Sequence, residues 1–264
     1  MNRLLITGAA GGLGKMARER LQHLATTLRL SDRENLGDAA DHEELVICDL
    51  ADEIAVHDLV EGCDGIVHFG GISTENTFKN ICASNLVGVY NLYEAARAHG
   101  QPRILFASSN HAIGFYRQDQ HLRGHEPTKP DGLYGVSKVY GEAMASMYFH
   151  KFGQETAIVR IGSCFPEPKD HRMMSTWLSA DDFVSMIEAI FSARLLGCPI
   201  IWGVSDNDEV WWDNSASRYL GWKAKDNAET FRETIEREHE RPAPEDPRSF
   251  YQGGTFALDG IHKD

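Results

Sequence analysis

The chain has 264 residues, of which 42% are hydrophobic and 25% charged. This composition is typical of a globular protein large enough for one α/β domain with a small additional lobe. The formal net charge is −13 and no basic cluster is longer than a pair of residues, so we expect no nucleic-acid partner.

No apolar run approaches the roughly 18 residues that a membrane helix requires, so we expect no membrane partner. The cysteines are five in number and widely spaced, and they form no C-x-x-C pair. We therefore expect neither a disulfide framework nor a bound metal, and a reducing, cytoplasmic location.

Apolar segments rich in β-forming residues alternate with helical patterns along most of the chain, which predicts a doubly wound parallel sheet of the Rossmann type. Predicted strands cover residues 3–7, 27–30, 45–48, 65–69, 103–107, 156–161 and 199–202, and predicted helices cover residues 12–24, 53–61, 76–99, 132–152 and 180–194.

The remainder of the chain contains two short helical patterns, at 213–220 and 226–239, and a proline-rich stretch at 242–247 that predicts an extended strap. We expect a dinucleotide-binding core over residues 1–161. Residues 162–264 are expected to add the last strand, a small discontinuous substrate lobe and the strap, all within one compact unit.

The first strand runs directly into a glycine-rich turn at the start of the first helix. Such glycines let the backbone approach a pyrophosphate, and the helix N-terminus favours the anion. The predicted cofactor contacts in this turn are Gly8, Gly11, Gly12, Leu13 and Gly14.

Asp32 follows the second strand, where a carboxylate can accept hydrogen bonds from both adenosine ribose hydroxyls. This position favours NAD, because a 2′-phosphate would meet a like charge. The neighbouring Arg33 is a potential phosphate partner, so residual use of NADP stays open.

Further cofactor contacts are expected where later strands end. Asp49 and Leu50 follow the third strand and are placed to contact the adenine, while Gly70 and Gly71 after the fourth strand permit close backbone approach. Asn85, inside a helix, is either a cofactor contact or a solvated polar residue.

Tyr134 and Lys138 are predicted to form the acid/base pair of the reaction. They are four positions apart, so a helix places both on one face. A nearby ammonium stabilises a phenolate, so Lys138 can lower the pKa of Tyr134 and also hold the nicotinamide ribose. Both Tyr134 and Lys138 are expected to contact the cofactor. Ser109 follows the fifth strand and can orient the reacting oxygen. A hydrolase based on Ser109 and His111 is disfavoured, since no G-x-S-x-G elbow is present.

These motifs resemble the extended short-chain dehydrogenase/reductase superfamily, which includes the NAD-dependent epimerases and dehydratases. More narrowly, the chain is similar over its full length to the bacterial uronate dehydrogenase family. The segments that carry this resemblance are GGIS at 70–73, ASSNH at 107–111, YGVSK at 134–138, VRIGSC at 159–164, RMMSTW at 172–177 and QGGTF at 252–256.

The resemblance implies NAD-dependent oxidation of D-galacturonate or D-glucuronate at C1, which gives the aldarolactone, with Tyr134 as the base. It also implies a small-molecule uronate pocket lined by Ser73, Ser109, Asn110, His111, Tyr134, Ser163 and Arg172. Arg172 suits this substrate independently, because a uronate carboxylate needs one cation.

Two other functions stay open: a nucleotide-sugar epimerase or dehydratase with tightly bound NAD, and a non-catalytic NAD(P) sensor of the same fold. The short C-terminal lobe favours a compact sugar over a nucleotide sugar, and the intact Tyr134 and Lys138 count against a sensor. Arg160, inside a strand, is predicted to form a structural ion pair. A homo-oligomer is expected by analogy, through helices 76–99 and 132–152.

Overall fold

In a computed structural model of the chain, which describes residues 1–263, seven parallel strands form one sheet in the order β3-β2-β1-β4-β5-β6-β7. The order reverses between β1 and β4, as in doubly wound folds that bind ligands at this switch point. The predicted α/β architecture is therefore confirmed, and every strand begins and ends within two residues of its predicted range. The strands are β1 Arg3–Thr7, β2 Thr27–Asp32, β3 Glu43–Ile47, β4 Gly65–His68, β5 Arg103–Ser109, β6 Thr156–Ile161 and β7 Ile200–Gly203.

The α-helices are α1 Gly12–Arg20, α2 Glu53–Val60, α3 Phe78–Ile81, α4 Gly88–Ala98, α5 Leu133–Phe152, α6 Met173–Thr176, α7 Ala180–Ser192, α8 Arg232–Glu238 and α9 Pro247–Phe250. A π-helical segment, Cys82–Val87, joins α3 to α4, so the single helix predicted at 76–99 consists of three pieces. Short 3₁₀ helices lie at Gln22–Leu24, Asn110–Ile113, Ser215–Leu220, Ala228–Phe231 and Gly254–Leu258.

The prediction of an extended strap at 242–247 is wrong in its second half. The chain turns at residues 244–245, and Asp246 then caps α9 by accepting a hydrogen bond from the backbone N–H of Arg248. Pro247 is tolerated because it occupies the first position of the helix, where its missing N–H needs no partner.

The sheet buries an apolar layer on each face. Helices α1 and α7 cover one face with side chains such as Ala17 and Phe183, and α2, α4 and α5 cover the other with Leu92 and Tyr148. Because all strands are parallel, their carboxyl ends meet at one edge. None of the helices within residues 1–263 is both long and apolar enough to cross a bilayer.

Candidate active site

A groove with a cavity volume of about 220 Å³ runs along the carboxyl ends of the first four strands. It brings together every predicted cofactor contact except Asn85, Tyr134 and Lys138. The predicted cofactor contacts that line it are Gly8, Gly11, Gly12, Leu13, Gly14, Asp32, Arg33, Asp49, Leu50, Gly70 and Gly71, and Ser73 of the predicted sugar pocket lines it as well.

The glycine-rich turn is shaped by two positions that only glycine fits. Gly8 has φ +71°, and a Cβ there would lie 2.8 Å from the backbone nitrogen of Gly70. A Cβ on Gly14 would overlap the Gly8 carbonyl oxygen. At Gly12, in contrast, an added Cβ would meet no atom of residues 1–263 within 4 Å. The turn thus packs tightly against Gly70 and against its own backbone, but it leaves open space at the N-terminus of α1. A bound pyrophosphate requires such a space.

Asp32 is held at the end of β2 by two backbone N–H groups. Its Oδ2 accepts from Ala10 at 3.0 Å and its Oδ1 from Glu34 at 3.2 Å, while Arg33 is exposed. A fixed carboxylate in the groove suits an unphosphorylated ribose, and the geometry therefore fits NAD.

The loop after β4 is fixed by a buried chain of hydrogen bonds. Thr7 Oγ1 accepts from the backbone N–H of Gly70 at 3.1 Å and lies 2.8 Å from His68 Nδ1. Burial, together with the charge of Lys138, lowers the pKa of His68 to about 3, so this imidazole is neutral.

Asn85 is buried and supports this loop rather than lining the groove. Its Oδ1 accepts from the backbone N–H of Ile72 at 2.8 Å, and its Nδ2 donates to Ile72 O and Ser137 Oγ at 2.9 Å each. The reading of Asn85 as a solvated residue is therefore wrong, because the residue is buried and Ile72 and Ser137 use both donors of its amide.

Tyr134 and Lys138 lie buried at the start of α5, beside the end of β5. The Lys138 ammonium donates to Ala107 O at 2.7 Å and lies 5.5 Å from the centre of the Tyr134 ring. Burial lowers the pKa of Lys138 to about 8, although Glu142 opposes the change. Burial raises the pKa of Tyr134 to about 12, and a hydrogen bond with the Ser109 hydroxyl opposes that rise.

Arg172 reaches the same region from the turn before α6. Its Nε donates to Gln252 O at 2.6 Å, and its Nη2 donates to the Asn110 side-chain oxygen at 2.6 Å when the Asn110 amide also donates to Ile161 O. These two hydrogen bonds fix the Arg172 guanidinium, and burial lowers its pKa. Ser163, after β6, has its hydroxyl oxygen 2.9 Å from that of Thr176.

His111 is surrounded by residues that the sequence analysis missed. Its Nδ1 lies 2.8 Å from Oδ2 of the fully buried Asp131, and its ring stacks on Phe256 with 3.8 Å between ring centres. The Tyr134 ring meets His111 edge-on at 5.8 Å. Burial lowers the pKa of His111, while Asp131 raises it. Phe256, on the 3₁₀ helix Gly254–Leu258, therefore forms one wall of the candidate sugar site.

Behind this site, Arg160 forms the predicted ion pair. Its Nε and Nη2 each donate to a Glu142 carboxylate oxygen at 2.8 Å, and Ser108 Oγ donates to the same carboxylate at 2.6 Å. Glu142 follows Lys138 by four positions, so the helical spacing could have identified it; Asp131 and Phe256 give no such local signal.

Comparisons with known proteins agree with this geometry. Residues 4–184 match the model of the NAD dependent epimerase/dehydratase family. The chain is 60% identical over 263 residues to a uronate dehydrogenase of Agrobacterium fabrum, an alignment that covers 100% of this chain and 99% of the relative. It is 55% identical to the uronate dehydrogenase of Pseudomonas putida, over 98% of this chain and 97% of the relative.

Solved structures give the same result. A mutant uronate dehydrogenase from Agrobacterium tumefaciens complexed with NAD superimposes with a TM-score of 0.99 at 60% identity, with 100% of both chains covered. A glucuronic acid dehydrogenase from Chromohalobacter salexigens superimposes with a TM-score of 0.97 at 54% identity, over 98% of each chain.

Proposed function

Because the chain belongs to the uronate dehydrogenases, within the NAD dependent epimerase/dehydratase family, we propose that it oxidises a free uronic acid with NAD. The substrate is D-galacturonate or D-glucuronate, the reacting group is the C1 hydroxyl of the cyclic sugar, and the product is the aldarolactone. The observation that carries this proposal is the part-buried Arg172 guanidinium, which Gln252 and Asn110 fix near the end of β5, where Lys138 also binds.

The Tyr134 oxygen accepts the proton of the C1 hydroxyl, and Ser109 orients that hydroxyl by hydrogen bonding. Bound NAD supplies the acceptor for the C1 hydride. Arg172 binds the substrate carboxylate and so determines which end of the sugar faces the groove, while Ser73, Asn110, His111 and Ser163 offer partners for the other hydroxyls.

Burial holds the Tyr134 pKa too high for a base at neutral pH, so the reaction requires charge stabilisation of the phenolate. The Lys138 ammonium supplies it, because a pKa of about 8 leaves this group mostly protonated at neutral pH. Lys138 would also hold the nicotinamide ribose hydroxyls, and Asp32 the adenosine ribose.

The test is the formation of NADH, followed by absorbance, with galacturonate, glucuronate and their neutral parent sugars galactose and glucose. We expect stoichiometric NADH with the uronates only. Rapid reduction with galactose and none with galacturonate would overturn the substrate assignment, and turnover without net NADH would favour an epimerase or dehydratase.

Replacement of Tyr134 by Phe tests the base. We expect turnover to fall by at least about 10²-fold, the usual contribution of a positioned proton acceptor, while the Kd for NAD measured by calorimetry stays close to that of the unmodified chain. Substantial turnover in the Tyr134→Phe variant would remove Tyr134 from the mechanism.

We further propose a cytoplasmic homo-oligomer. All five cysteines are unpaired, which suits a reducing compartment.

The oligomer is proposed from exposed apolar side chains on α4 and α5, two helices that pack side by side. They are Tyr90, Val136 and Met147, and a second copy of the chain would cover them. Light scattering during size-exclusion chromatography gives the mass that decides between monomer and oligomer.

A further inference from the structure

The loop after β4, residues 70–77, is partly exposed and carries a buried carboxylate. Ser73 and Thr74 are exposed, whereas Glu75 is only 7% exposed. Its Oε1 accepts from the backbone N–H of Leu133 and its Oε2 from that of Tyr134, each at 2.9 Å. A glutamate beside the cofactor groove thus caps the helix that carries the candidate base.

Helix α5 depends on this distant cap. The residue before its first turn is Gly132, which has no side chain to accept a hydrogen bond, and the first turn contains no acidic residue. A Cβ at position 132 would overlap Glu75 Oε2. A helix N-terminus needs acceptors for its first N–H groups and favours negative charge, and Glu75 supplies both from another segment.

A second set of hydrogen bonds joins the loop at residues 70–77 to Tyr134. Asn85 holds both backbone groups of Ile72 and donates to Ser137 Oγ, which in turn donates to the Tyr134 carbonyl at 2.7 Å. The backbone N–H and C=O of Tyr134 are therefore both tied to residues 70–77, the loop that carries Gly70, Gly71 and Ser73.

We propose that Glu75 is a positioning residue that fixes the Tyr134 side chain relative to the cofactor-binding and sugar-binding loop, so that displacement of the loop also misplaces the base. The inference rests on the proposed function only for its kinetic readout. Since Gly70 and Gly71 line the groove, the same coupling predicts an effect on NAD affinity that needs no sugar.

The test uses two variants of the full-length protein that disturb the contact differently. Glu75→Gln leaves one acceptor oxygen and turns an NH₂ group toward a backbone N–H. Gly132→Ala keeps the carboxylate but pushes it aside, and the extended backbone at Gly132 (φ −170°) accepts an alanine without strain. We expect both variants to lower kcat/KM for the uronate by about tenfold or more and to weaken NAD binding.

Glu155→Gln is the matched control. Glu155 Oε1 also accepts two backbone N–H groups, from Leu196 at 2.7 Å and Gly197 at 2.9 Å, but it lies just before β6, at the opposite edge of the sheet. We expect Glu155→Gln to have a lower Tm than the unmodified protein. Its kcat/KM and its Kd for NAD should stay within about twofold of the unmodified values.

The proposal fails if Glu75→Gln and Gly132→Ala behave like the control, with a lower Tm and unchanged kinetics and NAD affinity. If the unmodified protein oxidises no uronate, the proposed function fails, and the Kd values for NAD of the same three variants still decide the role of Glu75. A variant that does not fold is recognised by its circular dichroism, and the other variant then carries the test.

Discussion

Arg172 is the residue that we propose to bind the substrate carboxylate. Two of its guanidinium nitrogens are occupied by Gln252 and Asn110, so the group cannot swing away from the site. A fixed planar cation suits a carboxylate better than a flexible ammonium does.

Replacement of Arg172 by Ala should therefore raise KM for galacturonate by about ten- to a hundredfold, the effect of losing a charge-assisted hydrogen bond. Arg172→Lys should rescue this loss only in part, because one ammonium cannot reproduce both anchoring contacts. Measurement of KM for the uronate, with the Kd for NAD as control, checks the expectation. An unchanged KM in Arg172→Ala would place the carboxylate elsewhere.

Short-range patterns in the sequence predict many residues of this candidate site. Tyr134 and Lys138 are recognisable because four positions along a helix share a face, and Asp32 because it follows a strand. Glu75, Asp131 and Phe256 act through partners far away in sequence. No periodicity encodes such contacts, which only the folded chain brings together.

At the scale of elements, the segment from Gln252 to Leu258 completes the candidate sugar site. Gln252 is fully buried: its Oε1 accepts from Trp212 Nε1 at 2.9 Å and its Nε2 donates to the carbonyls of Arg117 and Gln120. These bonds hold the segment whose next residues stack Phe256 on His111.

Gln252→Leu should consequently leave buried polar partners unsatisfied, at a cost of about 1–3 kcal/mol for each group. We expect a lower Tm and a raised KM for uronate, because Gln252 O also anchors Arg172. The groove lies at the other end of the site, so NAD affinity should persist. A KM equal to that of the unmodified protein would show that the anchor is dispensable.

The strands were predictable because each is a short apolar run bounded by turn residues, and the pattern repeats along the chain. The π-helical segment was not, since no local pattern marks where it interrupts the helix predicted at 76–99. Helix α9 was missed because a proline-rich stretch is typical of extended chain, although Asp246 followed by Pro247 is a typical helix start. The division of the chain at residue 161 stays a prediction.

For the whole molecule, the buried neutral His68 makes stability depend on pH. Its pKa is about 3 when folded and near 6.5 when unfolded. Above pH 6.5 both states are neutral there; below it the unfolded chain binds a proton that the folded chain excludes. Folding stability must then fall on acidification, by about 1.4 kcal/mol per pH unit from this group alone, until the folded pKa is reached.

Urea unfolding at pH 7, 6 and 5 measures this slope. His68→Asn, whose amide can keep the hydrogen bond to Thr7, should show a shallower loss of stability over the same range. The difference between the two slopes isolates His68 from the carboxylates, which also lose stabilising partners in acid. Parallel slopes would contradict a strongly lowered pKa.

The stacking of Phe256 on His111 has a consequence for protein synthesis. Every strand that forms the groove for NAD has left the ribosome once residue 68 has emerged, and Lys138 follows near the midpoint of the 264-residue chain. The sugar site, in contrast, cannot be assembled until Phe256 has emerged from the exit tunnel. A nascent chain could thus acquire its coenzyme well before it can select a substrate.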